Sequence, residues 1–225
     1  MEDSAGVFRN VDACTIGSAQ LAEGREDYHR NVVIGCDVAK HTDWTVLIAM
    51  DAETGRCFAM ERFNHLDWPI QKERILAFAR KYRGRIILDA TGVGDPIYDD
   101  LKRVYGDIEG FKFTSGSKTA LVQRLIVAVE QRKVSWPATS GRSAVDSGQW
   151  DILTSEMKRY EYEISPSGGI TYNAPSGYHD DCVMALALAN HRRWETESCG
   201  NMLRVEGGER RGGVIARRRE RVLAG

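Results

Sequence analysis

Four aspartates stand where a charged side chain is hardest to explain by solubility alone. Asp37 closes the apolar run at residues 31–37 (NVVIGCD), and Asp89 follows Ile86-Ile87-Leu88 in the run at 85–90 (RIILDA). A carboxylate at the end of an otherwise apolar strand is costly to bury unless something pairs it. The third element is Tyr178-His179-Asp180-Asp181, two adjacent carboxylates at the start of an apolar segment rich in small residues. Taken alone, that pair also suits a helix N-terminus, which favours negative charge, so a capping role and a ligand role are both open. As a set, three or four carboxylates carried to one sheet edge repel one another strongly without a cation between them. Hard divalent cations such as Mg²⁺ take carboxylate and water oxygens and leave positions for a phosphate. Two such ions, about 3.5–4 Å apart, can activate water, clamp a phosphodiester and stabilise the leaving oxygen. No good cluster of His or Cys ligands competes with the aspartates.

Other polar residues have two readings each. Lys118 opens a helix near the carboxylates and is either a cation for a phosphate or carboxylate, or an ordinary exposed lysine. Asp43 is either a partner to the ligands or a turn residue. His179 either orients a ligand or a water, or simply enters the helix. Lys40 and His41, just past Asp37, either touch phosphates or face water. Trp44, Trp68, Trp136 and Trp150 read as packing residues before base-stacking platforms.

The elements that must carry these residues follow from turn chemistry and periodicity. Residues 31–37, 44–50 and 57–63 are short β-rich runs, separated by turn residues at 41–43 and 51–55. Connections this tight require antiparallel hairpins, because a parallel crossover needs about a dozen residues. A helix opens near Pro69 and runs to about Tyr82, and a buried-type strand covers 85–90. Asp95 caps a helix opening at Pro96, with Ile97, Leu101, Val104 and Tyr105 on one face. A short strand is expected at 111–114, and Ser117 caps a helix with an apolar face from Leu121 to Val129. A helix at 145–157, a hairpin from 159–165 and 170–173, and a helix from Asp180 to Trp194 complete the chain. The sum is an α/β fold: a mixed β-sheet of three antiparallel hairpin strands plus parallel strands, flanked by helices. If the first and fourth strands are neighbours, Asp37 and Asp89 converge at the carboxyl ends of the strands, where such sheets bind ligands.

Composition bounds the rest. The 225 residues suit one domain of ordinary size, with 42% hydrophobic and 28% charged residues. No apolar run approaches the roughly 18–20 residues of a membrane helix, and the acidic start is unlike a secretory leader, so the sequence reads as intracellular. Five cysteines without a C-x-x-C pair argue against a disulfide framework or zinc knuckle. Residues 1–30 read as a linker or arm, 31–195 as the domain, and 196–225 as a basic, flexible tail. From Leu203 to Gly225 there are seven Arg against three Glu, so that segment is at +4 within a chain of net charge −1. It is either a phosphate-attracting arm or a solvated end.

In order and context these segments resemble the nuclease domain of phage terminase large subunits, within the RNase H-like, RuvC-like superfamily. The residues that carry the resemblance are Gly35-Cys36-Asp37-Val38-Ala39 with Asp43 following, and Leu88-Asp89-Ala90-Thr91-Gly92-Val93-Gly94. Ser117-Lys118 then leads the helix toward Trp136-Pro137, and Gly177-Tyr178-His179-Asp180-Asp181 precedes Val183-Met184-Ala185-Leu186-Ala187. The likeness spans about 31–189. It implies an RNase H-like fold, two Mg²⁺ or Mn²⁺ ions held by Asp37, Asp89 and Asp181 with Asp180 as a second ligand or water-orienting group, and endonucleolytic cleavage of double-stranded DNA with little sequence preference. The implied partners are a packaging ATPase domain, the portal and the small terminase subunit, in the cytoplasm of an infected bacterial host. Alternatives are a junction-resolvase or transposase-type nuclease of the same fold, or an inactive nucleic-acid-binding module. Family members carry an ATPase motor upstream, whereas Gly116-Ser117-Lys118-Thr119 lacks the earlier glycine of a phosphate-binding loop. Residues 2–14 resemble the linker between motor and nuclease, so a separate nuclease domain is expected.

Overall fold

Alternation along the strands and 3.6-residue spacing along the helices assign nearly every apolar residue to one of two layers around a central sheet. The computed structural model describes residues 6–16, 31–39, 43–92, 94–138, 147–164 and 168–208, with side chains described up to residue 194. In chain order, a 3₁₀ turn at Val11–Cys14 leads to β1 (Thr15–Ile16), β2 (Val32–Asp37), β3 (Thr45–Asp51) and β4 (Cys57–Phe63). There follow α1 (Trp68–Tyr82), β5 (Arg85–Asp89), α2 (Gly94–Val104), β6 (Ile108–Phe111) and α3 (Ser115–Glu130). The chain continues through β7 (Trp136–Pro137), α4 (Ser147–Arg159), β8 (Glu161–Ile164), β9 (Ile170–Asn173) and α5 (Asp181–Gly208).

The five-stranded sheet has the order β4-β3-β2-β5-β6. Its first three strands are antiparallel, and β5 and β6 join parallel to β2. Odd-numbered β2 and β5 residues such as Val33 and Ile87, with Val46, Ile48 and Met50 of β3, face a layer made by α3, α4 and α5. Ile34, Cys36, Leu47, Ile86 and Leu88 face the other way, onto Ile75, Phe78 and Ala79 of α1 and Ile97 and Leu101 of α2. With both faces covered, β2 reads as a nearly continuous apolar run, as buried parallel strands do. Trp136 and Trp150 are buried, as are, among the described residues, the free thiols of Cys14, Cys36, Cys57 and Cys182. Among the described residues, no helix is long and apolar enough to cross a membrane.

Several expectations need correction. Residues 6–16 are not an arm: Phe8, Val11 and Cys14 join the core, Val7 N donates to Tyr160 O, and β1 pairs with β7. Their apolar spacing of three matches a single 3₁₀ turn, too short a pattern to stand out. The strand expected at 111–114 lies at Ile108–Phe111, because Lys112 and Phe113 leave the sheet and Phe113 N donates to Thr91 Oγ1 instead. Ser117 is the third residue of α3 rather than its cap. Thr114 caps, and the two form a reciprocal box through Ser117 N to Thr114 Oγ1 (3.1 Å) and Thr114 N to Ser117 Oγ (2.7 Å). The helix expected to be capped by Asp95 begins at Gly94, where a Cβ would lie 2.0 Å from Asp89 O. The helix α5 runs past Trp194 to Gly208. Lys40, His41, the remainder of the basic tail beyond residue 208, and residues 1–5 and 17–30 lie outside the described residues.

Candidate active site

Register settles the first pair of carboxylates. Cys36 of β2 lies opposite Leu88 of β5, so Asp37 and Asp89 occupy the next positions on adjacent parallel strands. Both share parity with Val33 and Ile87, which turns them toward the face covered by α5. That helix begins at Asp181, with Asp180 just before it. Three separate stretches of chain therefore bring Asp37, Asp89 and the Asp180–Asp181 pair to one end of the sheet.

The electrostatics of this cluster are unfavourable for the bare protein. Burial raises the Asp37 carboxyl well above its ordinary range, and the charges of Asp89, Asp181 and Asp180 raise it further. Burial also raises Asp89, although Thr91 N, donating to Asp89 Oδ1 at 2.8 Å, favours its charged form. Asp181, only 7% exposed, is pushed up to about 6, chiefly by burial, against the backbone hydrogen bond from Trp44 N to its Oδ2 (3.2 Å). Lys118 partly offsets this repulsion: its Nζ lies 3.3 Å from Asp180 Oδ2 and 3.1 Å from Asn173 Oδ1, and it draws the Asp37 pKa down. A lysine in the first helical turn opposes the helix dipole, so these acidic neighbours are what its position serves.

On the other flank, His179 Nδ1 is 3.4 Å from Asp43 Oδ1 and 3.7 Å from Asp181 Oδ2. Asp43, His179 and Asp181 each offer a ligand atom within 4.8 Å of the others. With Asp37 and Asp89, the donor set is dominated by carboxylate oxygens, which suits a hard divalent cation, and such a cation offsets the repulsion that raises Asp37 and Asp181.

The sequence model of the terminase RNase H-like domain matches residues 34–193. The chain belongs to that family. Large terminase subunits of Thermus virus P23-45 and Thermus phage G20c are each 30% identical to it over 173 residues, covering 73% of this chain and 32% of theirs. The chain thus spans about a third of the length of these curated relatives. The large terminase nuclease from thermophilic phage G20c, crystallised with bound magnesium, superposes with a TM-score of 0.67 at 25% identity, covering 83% of this chain and 97% of that one. The nuclease domain of the large terminase subunit gp2 of bacterial virus Sf6 has a TM-score of 0.63 at 12% identity, covering 83% and 98%, a likeness of fold alone. The mixed sheet with its flanking helices is the RNase H-like fold of the terminase family.

Seven of the residues singled out in the sequence of this terminase domain fall in one region: Asp37, Asp89, Asp180 and Asp181, with Lys118 on one side and Asp43 and His179 on the other. Three neighbours were missed. Tyr160, buried beneath the cluster, donates to Tyr172 O at 3.2 Å, and its hydroxyl pKa is raised by burial and by the charges of Asp180 and Asp37. Asn173 shares Lys118. Glu156 Oε2 accepts from Cys182 N (2.9 Å), so a carboxyl oxygen from α4 satisfies a free amide in the first turn of α5. A glutamate with Leu153 and Tyr160 at i−3 and i+4 lies on the apolar side of α4, and that was the legible signal.

Glu156 also yields a pH prediction. Burial pushes its carboxyl to about 7, against the hydrogen bond from Cys182. Between its ordinary pKa and about 7 the folded state holds a proton that the unfolded chain has released. Stability is therefore greatest below that window and falls as pH rises through it. In EDTA the domain is expected to lose on the order of 2 kcal/mol between pH 5 and 8 from this group, after discounting for its partial exposure, and Glu156→Gln to flatten that slope. Urea unfolding across this range checks it; a wild-type profile no steeper than that of the variant contradicts it.

Proposed function

We propose that this domain is a metal-dependent endodeoxyribonuclease that hydrolyses phosphodiesters of double-stranded DNA with little sequence preference. The observation that carries the reading is the convergence of Asp37, Asp89, Asp180 and Asp181, at an electrostatic cost, at the end of β2 and β5. Groups whose pKa values are perturbed by burial and by one another in this way mark a candidate functional site. Crystals of the related G20c nuclease with bound magnesium, cobalt or zinc support divalent cations as the ligands.

Asp37, Asp89 and Asp181 would hold two such ions, Mg²⁺ or Mn²⁺, with Asp180 as a further ligand or a group that orients water. When bound, the ions supply Lewis acidity at a phosphoryl oxygen and lower the pKa of a coordinated water. The chain's own residues fix the geometry. Trp44 N holds one oxygen of Asp181, Thr91 N holds one of Asp89, and Lys118 holds Asp180 while lying near enough to meet a phosphate. His179, between Asp43 and Asp181, would orient either carboxylate or a water between them. Contacts confined to the DNA backbone would account for low sequence preference and for binding that weakens with salt. Within a large terminase subunit the domain would act beside a packaging ATPase, with the portal and small terminase subunit as partners, in the cytoplasm of an infected bacterium.

The test is cleavage of supercoiled plasmid by the purified chain with Mn²⁺, Mg²⁺ or EDTA, wild type beside Asp89→Ala. Metal-dependent nicking and linearisation, absent in EDTA and in the variant, is the expected result. A folded wild type that cuts under no metal would remove autonomous nuclease activity.

A further inference from the structure

Sharing His179 with the carboxylate cluster is a cavity of about 320 Å³, bordered also by Arg62, Glu156, Arg159 and Tyr178. Its two cations come from unrelated elements, Arg62 from β4 and Arg159 from the end of α4. Each is presented on an aromatic ring. The Arg62 guanidinium lies 3.6 Å from the centroid of Trp44, and that of Arg159 lies 4.8 Å from the centroid of Tyr178. Among the described residues neither makes an ion pair, and Arg62 Nε is buried without a hydrogen-bond partner. Two carboxylates, Asp151 and Glu156, also line the cavity; Glu156 has one oxygen committed to Cys182 N and feels the charge of Arg62. Two forked donor groups held on rings, neither of them ion-paired among the described residues, suit a ligand with several anionic oxygens, for which arginine geometry is matched. Tyr178 is 54% exposed beside them and offers a stacking face.

The cavity is tied to the site by sequence as well as by space. Tyr178, on its wall, is two residues before Asp180 and three before Asp181, so an anion bound here lies next to the carboxylates. We propose that this cavity binds a backbone phosphate of the DNA strand entering the carboxylate site, with Arg62 and Arg159 donating to its non-bridging oxygens and Tyr178 packing against the adjoining nucleoside. This rests on the nuclease reading and adds to it the side from which the strand arrives.

The experiment measures binding rather than cutting, in an Asp89→Asn background with Mg²⁺, by fluorescence anisotropy of a labelled duplex across a salt series. Arg159→Glu and the double change Arg62→Gln with Arg159→Gln are expected to weaken binding about tenfold or more and to reduce the slope of log Kd against log salt by about one. Arg103→Ala, on the exposed end of α2, is the control and should leave both unchanged. Thermal melts within a few degrees of the parent show that the variants are folded, and Arg159→Lys, which keeps charge but not the fork, should fall between. Unchanged affinity and slope, an equal loss in Arg103→Ala, or no duplex binding by the parent overturns the proposal. A wild type that fails the plasmid assay while its arginine variants still lose affinity removes the nuclease reading and leaves the phosphate site standing.

Discussion

Replacing Asp37 with asparagine (Asp37→Asn) is expected to abolish plasmid cleavage and, in EDTA, to make the protein more stable. The two effects have one cause. Asp37 is held where burial and three neighbouring carboxylates raise its pKa well above the ordinary value. At pH 8 it is charged in the unfolded chain, so folding must either bury that charge among its neighbours or take up a proton, and either one costs stability. The amide keeps the shape and removes the charge. Metal-free melting should rise by a few degrees, at roughly 2–4 °C per kcal/mol for a domain of this size. Wild type should recover that stability when Mg²⁺ is added, by mass action on the folded state, and Asp37→Asn should respond much less. Cleavage should fall by about 10³-fold or more, the factor that accompanies loss of several kcal/mol of charge stabilisation at the reacting phosphate. Scanning calorimetry in EDTA and in Mg²⁺, beside the plasmid assay, reads both. A variant that melts lower in EDTA and still cuts would mean that Asp37 serves the fold rather than the chemistry.

Asp37 and Asp89 were legible because each breaks a local rule that the sequence otherwise keeps. Asp37 and Asp89 end apolar strands, and strand neighbours were guessable once the hairpin spacings forced β2, β3 and β4 to be antiparallel. The parallel pairing of β2 with β5 then brought the two together as expected. What sequence reasoning lost were features whose meaning depends on distant partners. Phe8, Val11 and Cys14 show a spacing of three over a segment too short to carry a period, and only their burial against the face shared with α4 and α5 reveals them as core. The alternation of Phe111, Lys112 and Phe113 is a fair strand pattern, yet the parallel register places Ile108 beside Ile86 and ends the pairing at Phe111. Arg62 and Arg159 look like surface charges on amphipathic elements, and Glu156, on the apolar side of α4, gives a signal that does not name its partner. Their roles come from the aromatic rings and the amide they meet across the fold.

Gly35→Ala should be among the most damaging single methyls in the domain, and for a reason that reaches the carboxylates. A Cβ at Gly35 would lie 1.9 Å from Ala185 O and 2.6 Å from Ala189 N, so α5 rests backbone to backbone on β2. Overlap with main chain cannot be relieved by a rotamer change, so the helix itself must move. Asp181, Ala185 and Ala189 are four residues apart in succession and form one stripe of α5. On β2, Gly35 and Asp37 are two apart and share a face. The contact that fixes the separation of helix and strand is therefore the one that sets how near Asp181 comes to Asp37. Alanine is expected to cost on the order of 3 kcal/mol of stability by overpacking. It should also lower cleavage about 100-fold in the fraction that remains folded, since a displacement near 1 Å at a reacting centre is enough for that. Gly116→Ala supplies the contrast. Nothing lies within 4 Å of a Cβ built there, in the first turn of α3, so the same substitution should be neutral or stabilising by up to about 1 kcal/mol. Urea unfolding and plasmid cleavage of both variants separate the cases. Equal stability in the two would mean that α5 can shift freely on the sheet, and retained cutting in Gly35→Ala would mean that the site tolerates such a shift.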